Sequence, residues 1–258
     1  MTTVIDSPAS LVTEAHLRQF QEKGFFVLEG VIPAAHLEMM RTACGNLIDQ
    51  IDERADEAGR PRTTKYFFSV WDEPQGANPV KDIAREQIRQ FVFSDLMAEI
   101  TRSLLGDDVY LSYEQFVVKA AEKGGTFAWH QDSAYVPAKH DPYLTCWCTL
   151  DDVTEENGTV YMLPYDRAGT RDLVPHTKLE DDFDLVGYRG DDPGDAVIAP
   201  AGSIALFSSH VLHRSGPNTT PRRRRIYLPQ YSSAPLLDSA GKPFYIAEPF
   251  LKDGRRVG

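Results

Sequence analysis

From Gly106 to about Ser233 the chain is a succession of short β-rich runs cut by Gly, Pro, Asn and Asp clusters, and few folds accept that pattern. The runs are "VYLSYEQFVVKA", "TCWCTLDDV", "GTVYMLPYD", "SIALFSSHVLHRS" and "RRIYLPQYSS". Each is rich in β-branched and aromatic residues, and each is bounded by turn formers. Several strands at that spacing predict a sandwich or barrel. We expect a mainly β fold with flanking α-helices, a double-stranded β-helix (jelly roll, cupin-like).

Upstream the periodicity changes. Residues 1–10 read as a loose leader. "TEAHLRQFQEKG" predicts a short helix capped by Thr13 and stopped by Gly24. "FFVLEGVI" predicts a strand closed by Pro33. Leu37, Met40, Cys44, Leu47, Ile48 and Ile51 recur at helical spacing, so a long amphipathic helix is expected from Ala34 to about Glu57. "KYFFSVW" predicts a strand, and residues 81–105 one helix or two. Residues 172–196, acidic with Gly and Pro, read as a long functional insertion. Residues 1–258 are expected to form a single domain, with a helical part at about 11–105 and the jelly roll at about 106–235.

One stretch, "WHQDSAYV" at 129–136, asks for an explanation. On a strand His130 and Asp132 project from the same face. Burying both is costly unless a cation compensates. A third ligand from a distant strand would complete a facial triad of two imidazoles and one carboxylate, the arrangement of non-haem iron oxygenases with open positions. "SSHVLHRSGPN" offers His210 and His213, which face opposite sides of a regular strand, so one of them is expected to join. His16 and His36 on helices, and His140 and His176 in loops beside proline, read as ordinary structural residues. No C-x-x-C or H-E-x-x-H spacing favours zinc.

An oxygenase that activates O2 needs an electron source, which a dicarboxylic keto acid chelating the iron supplies. Its far carboxylate calls for a bidentate arginine. The run "RRRR" at 222–225 offers candidates: strand parity sets Arg222 with Arg224 and Arg223 with Arg225, without choosing between them. Three of the four are expected in a solvated basic turn.

Bulk properties narrow the classes. A 42% apolar fraction with 10% aromatics supports a buried core, and a net charge of −11 argues against nucleic acid and anionic membranes as partners. Cys44, Cys146 and Cys148 read as buried thiols. Few cysteines, no secretory segment and no bilayer-length apolar run predict a cytoplasmic protein. The partner expected is a small-molecule substrate.

The motifs "FQEKGFFVLEGVI", "WHQD", "CWCTLDDVTEENGTVYMLP" and "HRSGPNTTPRRRR", in that order, make the chain resemble the phytanoyl-CoA dioxygenase family of Fe(II)- and 2-oxoglutarate-dependent oxygenases. The resemblance runs to about Tyr231. It implies His130, Asp132 and His213 as catalytic iron ligands, with His210 set aside. It implies Arg224, eleven residues after His213, as the cosubstrate anchor, with Ser215 on the same carboxylate. Trp147 would line the cosubstrate pocket, Asn157 and Gly158 would form a tight turn, and Gln115 and Lys119 are candidates to contact the keto acid. Fe(II), 2-oxoglutarate as cosubstrate and O2 are the implied cofactors.

The implied reaction is hydroxylation, or another oxidation, of a small molecule at a C–H bond, with release of succinate and CO2. The same chemistry giving desaturation, epoxidation or cyclisation, or a non-catalytic metal-binding jelly roll, are the alternatives. "PYDR" at 164–167 stands where many members have "PGSH", so that loop carries no substrate inference. Asp132 disfavours halogenation, which needs a small residue there. The acidic 172–196 segment and mixed 61–80 segment lean away from a CoA ester.

Overall fold

A computed structural model describes residues 10–178 and 185–257, so the expected leader lies, but for Ser10, outside the described residues. Helix α1 (Glu14–Lys23) starts where Thr13 Oγ1 accepts from the His16 amide and the Thr13 amide donates in return to His16 Nδ1. It ends at Gly24, whose φ of 86° is left-handed. Helix α2 (Ala34–Glu57) follows the apolar spacing and buries Met40, Ala43, Cys44, Leu47 and Ile48. The region 81–105 is two helices, α3 (Pro79–Val92) and α4 (Asp95–Leu105). Asn78 caps the first, and Ser94 accepts from the Met97 amide to cap the second. No helix among the described residues is long and apolar enough to cross a membrane.

The strands form two main sheets. The larger, eight-stranded sheet runs β1 (Phe25–Leu28), β10 (Ile204–Ser208), β5 (Leu144–Thr149), β12 (Arg224–Ser232), β3 (Val109–Lys119), β13 (Glu248–Lys252) and β14 (Arg255–Arg256), with β2 (Lys65–Phe68) also paired to β3. The smaller runs β4 (Phe127–His130), β11 (Leu212–Ser215), β6 (Val160–Leu163) and β9 (Asp195–Ala196). A two-stranded ribbon, β7 (Thr177–Lys178) with β8 (Leu185–Val186), rises from the insertion. All these pairings are antiparallel, as a jelly roll requires.

Three boundaries differ from expectation. The "FFVLEGVI" strand stops at Leu28, because Gly30 turns with φ 62° and its amide donates to Ser203 Oγ. "SIALFSSHVLHRS" is two strands in different sheets, since the chain turns at Ser209 and His210 and crosses over. "WHQD" is not one strand: β4 ends at His130 and Asp132 opens a 3-10 turn, Asp132–Tyr135.

The larger sheet is covered on both faces, which is why β5 and β10 are buried at every residue. One face packs Cys146, Cys148, Leu206, Tyr227 and Tyr231 against α2, α3 and α4. The other presents Trp147, Ala205, Phe207, Ile226 and Leu228 to the smaller sheet.

On the helix side of β3, Glu114 is fully buried. Its Oε1 accepts from the Ser69 hydroxyl, from the Val70 amide at 2.7 Å and from the Trp71 amide at 3.3 Å, tying the chain after β2 to the sheet. Burial outweighs those bonds and pushes the carboxyl up to about 7. The folded state therefore holds this proton more tightly than the unfolded chain. The stability it contributes is present in full below the ordinary carboxyl range and is lost as pH rises through about 7. Glu114→Gln should flatten the decline in stability between pH 5 and pH 8, a difference on the order of 3 kcal/mol, measured by urea unfolding at the two pH values.

Candidate metal centre and its cavity

Two short strands place the histidines. In the β11–β4 pairing His213 lies directly opposite His130, and the two rings stand 4.2 Å apart between centroids. Gln131 keeps an extended backbone (φ −116°, ψ 134°), so Asp132 still projects to the side of His130 although the strand has ended. Asp132 Oδ1 lies 3.8 Å from His130 Nε2 and 3.4 Å from His213 Nε2. One ligand atom from each residue falls within 4.8 Å of the others.

Backbone carbonyls, which only accept, fix both tautomers. His130 Nδ1 donates to Ala128 O at 2.7 Å and His213 Nδ1 to Val211 O at 3.0 Å. Both Nε2 lone pairs are thereby left for a cation. Ligand atoms around a cation at roughly 2.0–2.2 Å sit about 3 Å apart, so small side-chain rotations suffice to close this set on a metal.

The three side chains open onto a cavity of about 770 Å³ between the sheets, also lined by Gln115, Trp147, Ser215 and Arg224. Arg224 is 1% exposed and, among the described residues, forms no ion pair with a carboxylate. Its Nη2 donates to Gly158 O at 2.9 Å, while Nε and Nη1 have no hydrogen-bond partner among the described residues. Burial pushes the guanidinium down to about 9, still protonated near neutrality. A buried cation with two idle N–H groups is the complement of an anionic ligand. The Trp147 ring lies 5.6 Å from its Cζ.

Lys119, the cross-strand partner of Arg224, is also fully buried; its ammonium donates to Ser215 Oγ at 2.7 Å and to Gly216 O. An ammonium cannot accept, so the Ser215 hydroxyl keeps its own proton for another acceptor. Gly158, at φ 79°, makes the turn that Asn157 closes by accepting from the Thr154 amide at 2.9 Å. A Cβ at Gly158 would lie 2.5 Å from Gly216 O, so only glycine fits.

His210 stands in the turn between β10 and β11, its Nδ1 on Arg171 O at 3.1 Å, outside the triad. His176 and His140 lie nearer the centre than their loops suggest. His176 Nε2 accepts from the Gln131 amide at 3.1 Å, and His140 Nε2 meets Ser133 Oγ at 3.0 Å.

The arginine run is less solvated than expected. Arg223 pairs with the buried Asp52 at 3.0 Å, and Arg225 grips Asp151 through Nε at 3.0 Å and Nη2 at 2.6 Å. Arg222 and Arg223 are exposed with the preceding proline, as expected of a solvated turn, whereas Arg225 is half-buried on β12. In "PYDR", Tyr165–Ala168 forms a one-turn helix, α5, from which Arg167 pairs with Asp192 and Asp195 of the insertion.

A sequence profile of the phytanoyl-CoA dioxygenase family matches residues 20–226. A probable alpha-ketoglutarate-dependent hypophosphite dioxygenase of Stutzerimonas stutzeri is 31% identical over 163 residues, covering 59% of this chain and 56% of that protein. The ectoine dioxygenase of Sphingopyxis alaskensis is 25% identical over 255 residues, covering 89% and 78%. Among solved structures, EctD from S. alaskensis with 2-oxoglutarate and 5-hydroxyectoine superposes with a TM-score of 0.65 at 21% identity, covering 98% of this chain and 87% of that one. The epimerase SnoN with Fe3+, alpha-ketoglutarate and nogalamycin RO gives 0.65 at 18% identity, covering 96% and 98%.

If the triad holds the metal, His130→Ala and His213→Ala should each lose more affinity than the roughly 10–100-fold that removal of an outer partner costs. His210→Ala should keep wild-type metal content. Metal analysis after dialysis against a graded chelator checks all three, and a metal-free His210→Ala beside a loaded His213→Ala would reverse the assignment.

Proposed function

The chain belongs to the phytanoyl-CoA dioxygenase family, and on that premise we propose that it is an iron(II)- and 2-oxoglutarate-dependent dioxygenase that hydroxylates a free small molecule at a C–H bond. His130, Asp132 and His213 would hold the iron, which with O2 would supply the chemistry that converts the keto acid to succinate and CO2 and oxidises the substrate. The observation that carries this reading is the buried Arg224, with two unpartnered N–H groups, in the same cavity as the triad. A dicarboxylic keto acid satisfies both ends of that cavity at once.

The protein's part is binding, orientation and exclusion. Arg224 takes the distal carboxylate through Nε and Nη1, and Ser215, oriented by Lys119, adds its hydroxyl. Trp147 walls the cosubstrate's flank, and Gln115 faces it from β3. The two Nδ1–H bonds to carbonyls orient both imidazoles so that Nε2 is turned to the metal.

The substrate's share of the cavity is largely aromatic, with Phe67, Tyr113, Tyr135, Tyr143 and Tyr245. A CoA ester needs clustered cations for its phosphates. The basic residues lining the cavity are Lys65, Arg214 and Arg224. Lys65 donates to Thr126 O, and the Arg214 guanidinium lies 4.0 Å from the Tyr161 ring and donates to Pro193 O. That dispersion supports a substrate without CoA. Residues 1–258 act in this reading as one catalytic domain, because β1 and β2 from the helical part are strands of the larger sheet. The three free, buried thiols agree with a reducing cytoplasm.

Removing two charge-assisted hydrogen bonds costs roughly 1.5–3 kcal/mol each, so Arg224→Ala should weaken 2-oxoglutarate binding about 100-fold or more. Arg224→Lys, which keeps the charge but loses the fork, should fall between. The readout is the visible band formed anaerobically when the keto acid chelates Fe(II), titrated for each variant. Wild-type affinity in Arg224→Ala would place the anchor elsewhere.

A further inference from the structure

Asp132 is held by more than its backbone. Its Oδ2 accepts from Thr145 Oγ1 at 2.6 Å and from Gln230 Nε2 at 3.0 Å, and Gln230 Nε2 also lies 3.2 Å from Thr145 Oγ1. The donors balance. The single Thr145 hydroxyl proton goes to the carboxylate, and the two Gln230 amide protons go to the carboxylate and to the Thr145 oxygen. Because an ionised carboxylate only accepts, the orientation of the Gln230 amide is fixed by this chemistry.

The two donors come from the larger sheet, whereas Asp132 follows the last strand residue of the smaller one. Thr145 and Gln230 are cross-strand partners in the β5–β12 ladder. Thr145 is fully buried and Gln230 is 7% exposed. Their bonds therefore reach across the cavity and fix the rotation of the Asp132 carboxylate, with Oδ1 toward the two imidazoles and Oδ2 turned away.

We propose that Thr145 and Gln230 are positioning residues that make Asp132 a one-oxygen ligand. A facial triad works only while the positions opposite it stay open. A carboxylate free to rotate can give both oxygens to the cation and fill one of the positions that a chelating keto acid needs. Two charge-assisted bonds on Oδ2 oppose that rotation. The proposal rests on the metal-centre reading above and adds to it a reason why the site stays open.

Cobalt(II) is a suitable probe, because its visible absorption reports coordination and no turnover is required. Wild-type protein, Thr145→Val, Gln230→Met and the conservative Thr145→Ser are loaded with cobalt(II), and each is titrated with 2-oxoglutarate. Thr145→Val and Gln230→Met should lose no more cobalt affinity than the roughly 10–100-fold expected for an outer partner. At saturating cobalt they should show an altered spectrum before cosubstrate is added and bind 2-oxoglutarate roughly tenfold or more weakly. Thr145→Ser, which restores the hydroxyl, should recover the wild-type spectrum, a result that a packing role for the threonine methyl would not give. If Thr145→Val does not fold, Gln230→Met at the cavity wall decides alone. Wild-type spectra and wild-type 2-oxoglutarate affinity in the isosteric variants would overturn the proposal while leaving the metal centre standing. Failure of the wild-type protein to take up cobalt would instead contradict the metal-centre reading itself.

Discussion

Antiparallel pairing of β11 with β4, which sets His213 opposite His130 before the register shifts toward Ser215, is the constraint on which the site depends. Directly opposed side chains on one face lie close enough for both imidazoles to meet a common cation. A slip of one residue would turn His213 outward and bring Arg214 to the metal side. The register is held from both flanks. β6 pairs Met162 with His213 on the other edge of β11, and the Gly187 amide donates to Trp129 O beside β4. Arg167, by pinning Asp192 and Asp195, anchors the insertion that supplies Gly187.

The larger sheet does a second task through its alternation. Along β12, Arg224, Leu228 and Gln230 line the cavity while Tyr227 and Tyr231 pack on the helices. Along β5, Thr145 and Trp147 point toward the centre while Cys146 and Cys148 do not. The cosubstrate anchor and the brace on Asp132 are thus opposite ends of one strand face, set apart by the backbone rise. Holding Arg224 dry with no ion pair among the described residues is costly, and a preorganised anion site carries that cost in its free state.

Much of this was legible in the residues. The first helix start was readable because Thr13 has the chemistry of a cap, whereas Asn78 and Ser94, which cap the two helices within the region expected at 81–105, were not read. The pair His130 and Asp132 was readable because H-x-D sets both side chains on one face, a pattern common on its own, and the family resemblance selected His213 and Arg224. What parity could not supply was partnership between strands distant in the chain. Thr145 shares a face with Trp147, and Gln230 with Arg224, yet nothing local states that β5 lies beside β12 with both residues aimed at Asp132. The same gap explains the arginine run, where Arg223 and Arg225 found Asp52 and Asp151, acids more than 70 residues away. It also hid the break in "WHQD", since only the 3-10 turn after Gln131 shows that the strand ends before its aspartate.

The account's central claim is that one cavity couples a metal at the triad to a keto acid on Arg224. The most direct test is the stoichiometry of the purified protein supplied with Fe(II), 2-oxoglutarate and O2, following succinate by chromatography and O2 with an electrode. The account predicts slow turnover even without a primary substrate, with one succinate formed for each O2 consumed, and loss of that turnover in Arg224→Ala. Iron bound at the triad with no succinate formed, at saturating 2-oxoglutarate, would contradict it.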